Sequence, residues 1–184
     1  MHITNAQNDI ERVLLTEEQL QTRVKELARE ISTDYEDKRP IIVCILKGSS
    51  IFFADLCKYI TCHMQMDFID VSSYGAGTHS SGTVKFLKDL DNDIEGRHVL
   101  LIEDIMDSGK TLHHLRHMLG GRNPASLKVC CLLNKPDAHP TEWDADYNGF
   151  EIGNDFVVGY GLDYAEYYRN LPYIGILSPK AYAD

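Results

Sequence analysis

The chain has 184 residues, of which 43% are hydrophobic and 25% charged, the ordinary balance of a globular domain with a substantial core. Its 18 basic and 28 acidic side chains leave a net charge of −10, which argues against general attraction to nucleic acid or anionic lipid. A polyanionic ligand would have to be met locally, by backbone amides, a metal ion and a few placed cations.

No apolar run approaches the roughly 18 residues of a membrane span, and the N-terminal MHITNAQNDIERVLL lacks the basic-then-apolar pattern of a secretory signal. Five cysteines (Cys44, Cys57, Cys62, Cys130, Cys131) sit mostly in apolar runs without C-x-x-C spacing. They read as reduced, buried thiols of a cytoplasmic protein. No repeat, low-complexity segment or linker interrupts the chain.

Thr16-x-x-Gln19 is a capping-box pattern, and Leu20, Val24, Leu27, Ala28 and Ile31 continue it as the apolar stripe of a packing helix. Ile41–Leu46 reads as a buried strand that runs into Lys47-Gly48-Ser49-Ser50 and a helix over about 51–60. That turn is a candidate anion site or an ordinary strand-to-helix connection. Met66–Val71 reads as a strand. Residues 75–83, GAGTHSSGT, contain no apolar anchor and read as a mobile lid or a disordered tip; Val84, Phe86 and Leu87 then resume a strand. Alternating acids in Asp89–Gly96 suggest a calcium loop, but Ile94 and Leu100 stand where Gly and Glu are required, so a solvated turn is expected.

The segment His98–Leu112 concentrates the chemistry. A short apolar run, Val99–Ile102, ends in Glu103 and Asp104; Asp107, Ser108, Gly109, Lys110 and Thr111 follow, and a helical stripe of Leu112, Leu115, Met118 and Leu119 closes at Gly120-Gly121. Strand, glycine turn and helix N-terminus describe a phosphate site. It is not a nucleotide-binding P-loop, because Asp104 stands where that motif needs glycine. Two carboxylates beside a phosphate cradle suit a phosphorylated sugar, the acids meeting vicinal hydroxyls or a magnesium ion. His113, His114 and His117 lack the carboxylate of a zinc helix and read as exposed helix residues.

Leu127–Leu133 is a further buried strand ending at Asn134-Lys135-Pro136. Asp137–Asn148 is polar, Phe150–Ile152 and Phe156–Gly159 are short strands, 159–170 is an aromatic and charged turn, and Tyr173–Leu177 is a last strand. Strands alternating with helices predict an α/β protein with a central parallel sheet flanked by helices, and the tail forms a small β-rich hood. One domain is expected, with its core over about 8–135 and 171–178 and the hood over 136–170 together with the N-terminal residues.

LIEDIMDSGKTL, residues 101–112, resembles the signature of the type I phosphoribosyltransferases. ILKGSSIFFADL (45–56), SSYG (72–75), VKFLKDLD (84–91), LLNKP (132–136) and FVVGYGLDYAEYYRNLPYIG (156–175) are similar to the corresponding segments of the hypoxanthine(-guanine) branch of that family. The resemblance covers the chain from about Ile41 onward; the N-terminal segment and 137–148 carry no clear family signature.

The resemblance implies transfer of a 5-phosphoribosyl group from phosphoribosyl pyrophosphate to N9 of hypoxanthine or guanine, giving IMP or GMP and pyrophosphate, with Mg2+ as cofactor. It implies Asp107 as general base near purine N7, a residue that equally caps the phosphate loop. Glu103 and Asp104 match the residues holding the ribose hydroxyls and the metal shell, and Ser108, Gly109, Lys110 and Thr111 the 5′-phosphate cradle. Lys47-Gly48 matches a pyrophosphate loop with a cis peptide before the lysine. Arg169 matches a second pyrophosphate contact and Asp163 a metal ligand. Lys135 matches the donor to the 6-oxo group, Phe156 the aromatic stacked on the base, Val157 a backbone contact to its edge, and Ser73-Tyr74 the start of a closing lid. A homo-oligomer, dimer or tetramer, is implied as well. Two rivals are an RNA-binding sensor built on the same fold, which would need a basic surface, and a sister transferase for adenine, xanthine or orotate.

Overall fold

The computed structural model describes residues 6–73 and 84–181. In chain order its main elements are β1 (Ile10–Leu15), α1 (Glu17–Asp34), β2 (Ile41–Leu46), α2 (Ser50–Tyr59), β3 (Gln65–Ser73), β4 (Val84–Lys88), β5 (His98–Met106), α3 (Lys110–Gly120), β6 (Ser126–Asn134), β7 (Tyr147–Glu151), β8 (Val157–Val158) and β9 (Ile174–Leu177). Six strands form one sheet in the order β4-β3-β2-β5-β6-β7, parallel except for β4, which runs antiparallel to β3. A small antiparallel sheet has the order β1-β9-β8.

The period of two along each central strand sorts the apolar residues into two layers. Ile42, Cys44, Leu100, Ile102, Cys130 and Leu132 pack with α1 and α2; Ile41, Val43, Val99, Leu101, Val129 and Cys131 pack with Leu112, Leu115 and Leu119 of α3. Both faces are covered, which is why these strands read as unbroken apolar runs. Helix α1 begins as its capping box predicts: Gln19 N–H donates to Thr16 Oγ1 at 3.3 Å, and Thr16 N–H donates to Gln19 Oε1 at 2.9 Å. Val157 and Ile174 of the small sheet share the α1/α2 layer. Among the described residues no helix is long and apolar enough to cross a membrane.

Three expectations meet the structure. First, the strand expected over Tyr173–Leu177 forms as β9, which pairs with β1 in the small sheet and places Ile174 and Ile176 in the α1/α2 layer, whereas the stretch at 147–151 joins the large sheet beside β6. Helix α1 fixes β7 there: Arg23 donates from Nε to Gly149 O at 3.1 Å and from Nη2 to Asn148 O at 2.8 Å, and Tyr147 Oη donates to Asp34 at 2.6 Å. Second, β5 continues through Met106, so Glu103 and Asp104 lie inside the strand rather than beyond it; the ladder to β6 persists through Glu103–Cys131 and Ile105–Leu133. Third, 89–96 is more than a solvated turn. Asp67, buried on β3, accepts hydrogen bonds from Asp91 N–H, Asn92 N–H and Asn92 Nδ2, and Ile94 is buried. The stretch 75–83 expected as a lid falls outside the described residues.

Candidate active site

The order of the large sheet reverses between β2 and β5: the chain leaves β2 for β3 on one side and returns to β5 on the other. The carboxyl ends of the strands flanking such a point open a crevice. The turn after β2 supplies Lys47 and Gly48, the end of β5 supplies Glu103 to Asp107, and the end of β6 supplies Lys135. The Leu46–Lys47 peptide is cis.

Two adjoining clefts occupy this crevice. One, of about 120 Å³, is lined by Glu103 and by Ile105 to Leu112. Gly109 there has φ +68 and caps α3, whose first bond runs from His113 N–H to Gly109 O at 2.8 Å. The N–H groups of the preceding loop and first turn therefore have no intrahelical partners and present a positive helix end, as a phosphate cradle requires. Ser108, Lys110 and Thr111 are exposed in it. The other cleft, of about 200 Å³, is lined by Asp104, Asp107, Lys135, Phe156, Val157, Leu162 and Asp163. Lys135 is only 8% exposed, and its Nζ stands 3.4 Å from Asp107 Oδ2. Phe156 is 45% exposed and meets Tyr164 edge-on, while Val157 is buried.

The two acids of β5 are partly buried. Oε2 of Glu103 is buried without a hydrogen-bond partner, and burial followed by repulsion from Asp104 raises the Glu103 carboxyl well above the ordinary range. Burial likewise raises Asp104 to about 6, against the opposing pull of the Ile105 N–H at 2.8 Å and of Arg169. Gly48 makes this possible, because a Cβ there would run into Asp104 Oδ2. A second close approach backs it: Gly161, at φ +107, lies so near the Gly48 carbonyl oxygen that it too has no room for a side chain.

The far wall is the turn 159–170. Arg169 donates to Gly161 O at 2.7 Å and stands 2.8 Å from Asp163 Oδ1. Glu166, on the same turn, lies 2.9 Å from Lys47 Nζ. A larger groove of about 580 Å³, bordered by Lys25, Arg29, Tyr59 and His63, lies between α1 and the segment after α2 and shares no residue with the crevice.

The profile of the phosphoribosyl transferase domain matches residues 14–165. The chain belongs to the phosphoribosyltransferase family. It is 53% identical over 175 residues to the hypoxanthine-guanine phosphoribosyltransferase of Bacillus subtilis, a match covering 95% of this chain and 97% of that protein. It is 54% identical over 177 residues to the bifunctional protein TilS/HprT of Listeria monocytogenes; the match takes in 96% of this chain but spans only 27% of that protein's length. The crystal structure of a hypoxanthine phosphoribosyltransferase from Staphylococcus aureus superposes with a TM-score of 0.94 at 47% identity, covering the whole of both chains. The mixed sheet flanked by helices, with its small antiparallel partner, is the type I phosphoribosyltransferase fold.

In this member of the family the expected residues Lys47, Gly48, Glu103, Asp104, Asp107 to Thr111, Lys135, Phe156, Val157, Asp163 and Arg169 lie around one crevice. Ser73 ends β3, pairing with Val84, and Tyr74 lies outside the described residues. Glu103, Asp104 and Asp163 do not form a ready-made cage: among the described residues no three His, Cys, Asp or Glu side chains converge to hold a metal ion. Glu103 opens into the smaller cleft, Asp104 into the larger, and Asp163 is engaged by Arg169. The donor set still fits magnesium, which takes oxygen ligands, needs few protein carboxylates and completes its shell with water and phosphate. The unpartnered Glu103 oxygen and the raised Asp104 carboxyl mark a place where a cation would relieve charge repulsion.

Some residues of the site were not anticipated. The segment 137–148, without family signature, braces the turn at Gly109. Trp143 stacks on His113 at 4.1 Å, so that histidine is not simply solvated, and Trp143 and His139 leave Gly109 closely bounded. Buried Asn134 ties the segment down through Asp144 and His139, both at 2.8 Å. A tryptophan and a histidine in a polar stretch were the available signal. Glu166 was also missed, because a charged turn residue reads as solvated.

Proposed function

We propose that this chain transfers the 5-phosphoribosyl group of phosphoribosyl pyrophosphate to N9 of hypoxanthine or guanine, releasing pyrophosphate and serving purine salvage. The observation that carries the reading is the buried ammonium of Lys135 facing Asp107 in the cleft beside the phosphate turn. An ammonium only donates, so it selects a 6-oxo acceptor and is mismatched to the 6-amino group of adenine.

In this reading the purine enters the cleft over Phe156, with the backbone of Val157 at its edge and Lys135 donating to O6. The 5′-phosphate sits at the turn Asp107–Thr111. Glu103 and Asp104 accept from the ribose hydroxyls, which gives the buried Glu103 Oε2 the partner it lacks in the protein alone. The bond from the anomeric carbon to pyrophosphate breaks as the N9 bond forms, with inversion, and Asp107 accepts the proton at N7. Lys47 and Arg169 meet the departing pyrophosphate. Glu103, Asp104 and Asp163 would hold magnesium, directly or through water, and the ion would supply charge neutralisation to that leaving group.

We further assign a single phosphoribosyltransferase domain acting in the cytoplasm, a reading supported by the five free thiols. A homo-oligomer is supported by exposed Met66, Phe68 and Leu87 on the adjacent strands β3 and β4, apolar surface that a second copy would cover. The test of the activity is direct. Mixed with hypoxanthine, phosphoribosyl pyrophosphate and magnesium, the protein should form IMP and pyrophosphate in equal amounts; absence of both products would overturn the reading.

A further inference from the structure

The two cations assigned to the leaving group are already bridged by one carboxylate. Glu166 Oε2 lies 2.9 Å from Lys47 Nζ, and its Oε1 lies 3.3 Å from Arg169 Nη2. The cations come from opposite walls, Lys47 from the turn after β2 and Arg169 from the turn 159–170, so the carboxylate spans the crevice as two oxygens of a small polyanion would. Its placement is built rather than incidental. Ala165, Glu166 and Tyr168 have φ of +50, +70 and +74, left-handed conformations that L side chains rarely adopt. The turn is kept by Glu166 N–H donating to Asp163 Oδ2 at 2.9 Å, by reciprocal bonds between Tyr164 and Tyr167, and by Tyr168 Oη donating to Asp9 at 2.9 Å.

Resting on the reading above, we propose that Glu166 is an internal counter-ion occupying the place of pyrophosphate between Lys47 and Arg169, and that it sets the affinity for that product and hastens its release. Side-chain exposure is 63% for Lys47 and 64% for Glu166 but 24% for Arg169, so the Lys47 pair is wet and weak, and the longer Arg169 pair is half-wet; both are exchanged for a more highly charged anion. When pyrophosphate enters, the Glu166 carboxylate is displaced and left beside a polyanion of like charge. When pyrophosphate leaves, the carboxylate re-forms both pairs, so Lys47 regains its partner while Arg169 keeps Asp163 throughout. Glu166 is a positioning residue in this scheme and takes no part in bond making.

The test is titration with inorganic pyrophosphate, followed by calorimetry, of the wild type, Glu166→Gln and Glu166→Asp at low and high salt. Gln keeps the side-chain length, the turn geometry and the N–H to Asp163, and removes only the charge. Glu166→Gln is expected to bind pyrophosphate about 3- to 10-fold more tightly at low salt, with the gain shrinking at high salt as screening grows. Glu166→Asp, which keeps the charge but not the reach to both cations, is expected to fall between the two. In turnover Glu166→Gln should lower KM for phosphoribosyl pyrophosphate and lower kcat together, with stronger product inhibition by pyrophosphate. Equal or weaker pyrophosphate binding by Glu166→Gln overturns the proposal while the transferase reading stands. Failure of all three proteins to bind pyrophosphate overturns both.

Discussion

Nζ of Lys135 and Oδ2 of Asp107 face each other at 3.4 Å across one cleft, bringing the end of β6 to the loop after β5. The contact joins the group assigned to recognise the base to the group assigned to take its proton. Lys135→Gln should therefore cost more than a surface charge. A hydrogen bond from a charged donor contributes about 1.5–3 kcal/mol, so kcat/KM for hypoxanthine should fall about 10- to 100-fold, with much less change in KM for phosphoribosyl pyrophosphate. Steady-state kinetics with each substrate varied in turn checks the split.

Gly48 lies where any Cβ collides with Asp104 Oδ2. Gly48→Ala must push either the Lys47 turn or the Asp104 carboxylate aside. Displacement of a positioned group by about 1 Å typically costs about 100-fold in rate, and that loss is expected in kcat/KM. The melting temperature should change little, since the turn lies at the surface end of β2. A variant with near-normal activity would show that the close approach is not needed.

Asp67 is predicted to matter for stability and not for chemistry. Burial opposes its charge, but Phe68 N–H, Asp91 N–H, Asn92 N–H and Asn92 Nδ2 all donate to it, and the net result is a carboxyl held below its ordinary range. A carboxyl depressed on folding contributes stability above its unfolded value, near pH 4, and that contribution is lost as pH falls through the lower folded value. Asp67→Asn should cost about 1–3 kcal/mol at neutral pH, and the gap to the wild type should narrow below about pH 4. Denaturant unfolding across that pH range measures it.

Trp143→Ala removes the ring stacked on His113 and one boundary of the Gly109 turn. The stacking itself contributes about 1 kcal/mol, to be seen in the melting temperature. The telling effect is a several-fold rise in KM for phosphoribosyl pyrophosphate with base binding unchanged. A stability loss without that rise would confine Trp143 to packing.

What was legible in the sequence follows physical locality. Ile41–Leu46 and Val99–Ile102 are apolar because both faces of their strands are buried, and Thr16 with Gln19 form a cap within one turn of chain; such signals need no knowledge of distant partners. The pairing of β7 and β9 does need it. Phe150–Ile152 and Tyr173–Leu177 are similar short apolar runs, and only Arg23 beneath one and β1 beside the other decide which sheet each joins. Asp67 was one acid among several, and its role depends on Asn92 arriving from another turn. The turn at Gly109 was readable because a glycine turn before a helix is a local pattern, whereas Lys135 was marked only by the family resemblance. Glu166 bridging Lys47 and Arg169 was not, since it joins residues 119 positions apart.

The central claim is transfer to a 6-oxopurine selected by Lys135. It is tested most directly by comparing kcat/KM for hypoxanthine and adenine at one concentration of phosphoribosyl pyrophosphate with magnesium. The account predicts ready turnover of hypoxanthine and a discrimination against adenine of about 10⁴-fold, the scale at which a site built to hydrogen-bond one group rejects its counterpart. Equal turnover of the two bases, or of adenine alone, would contradict it.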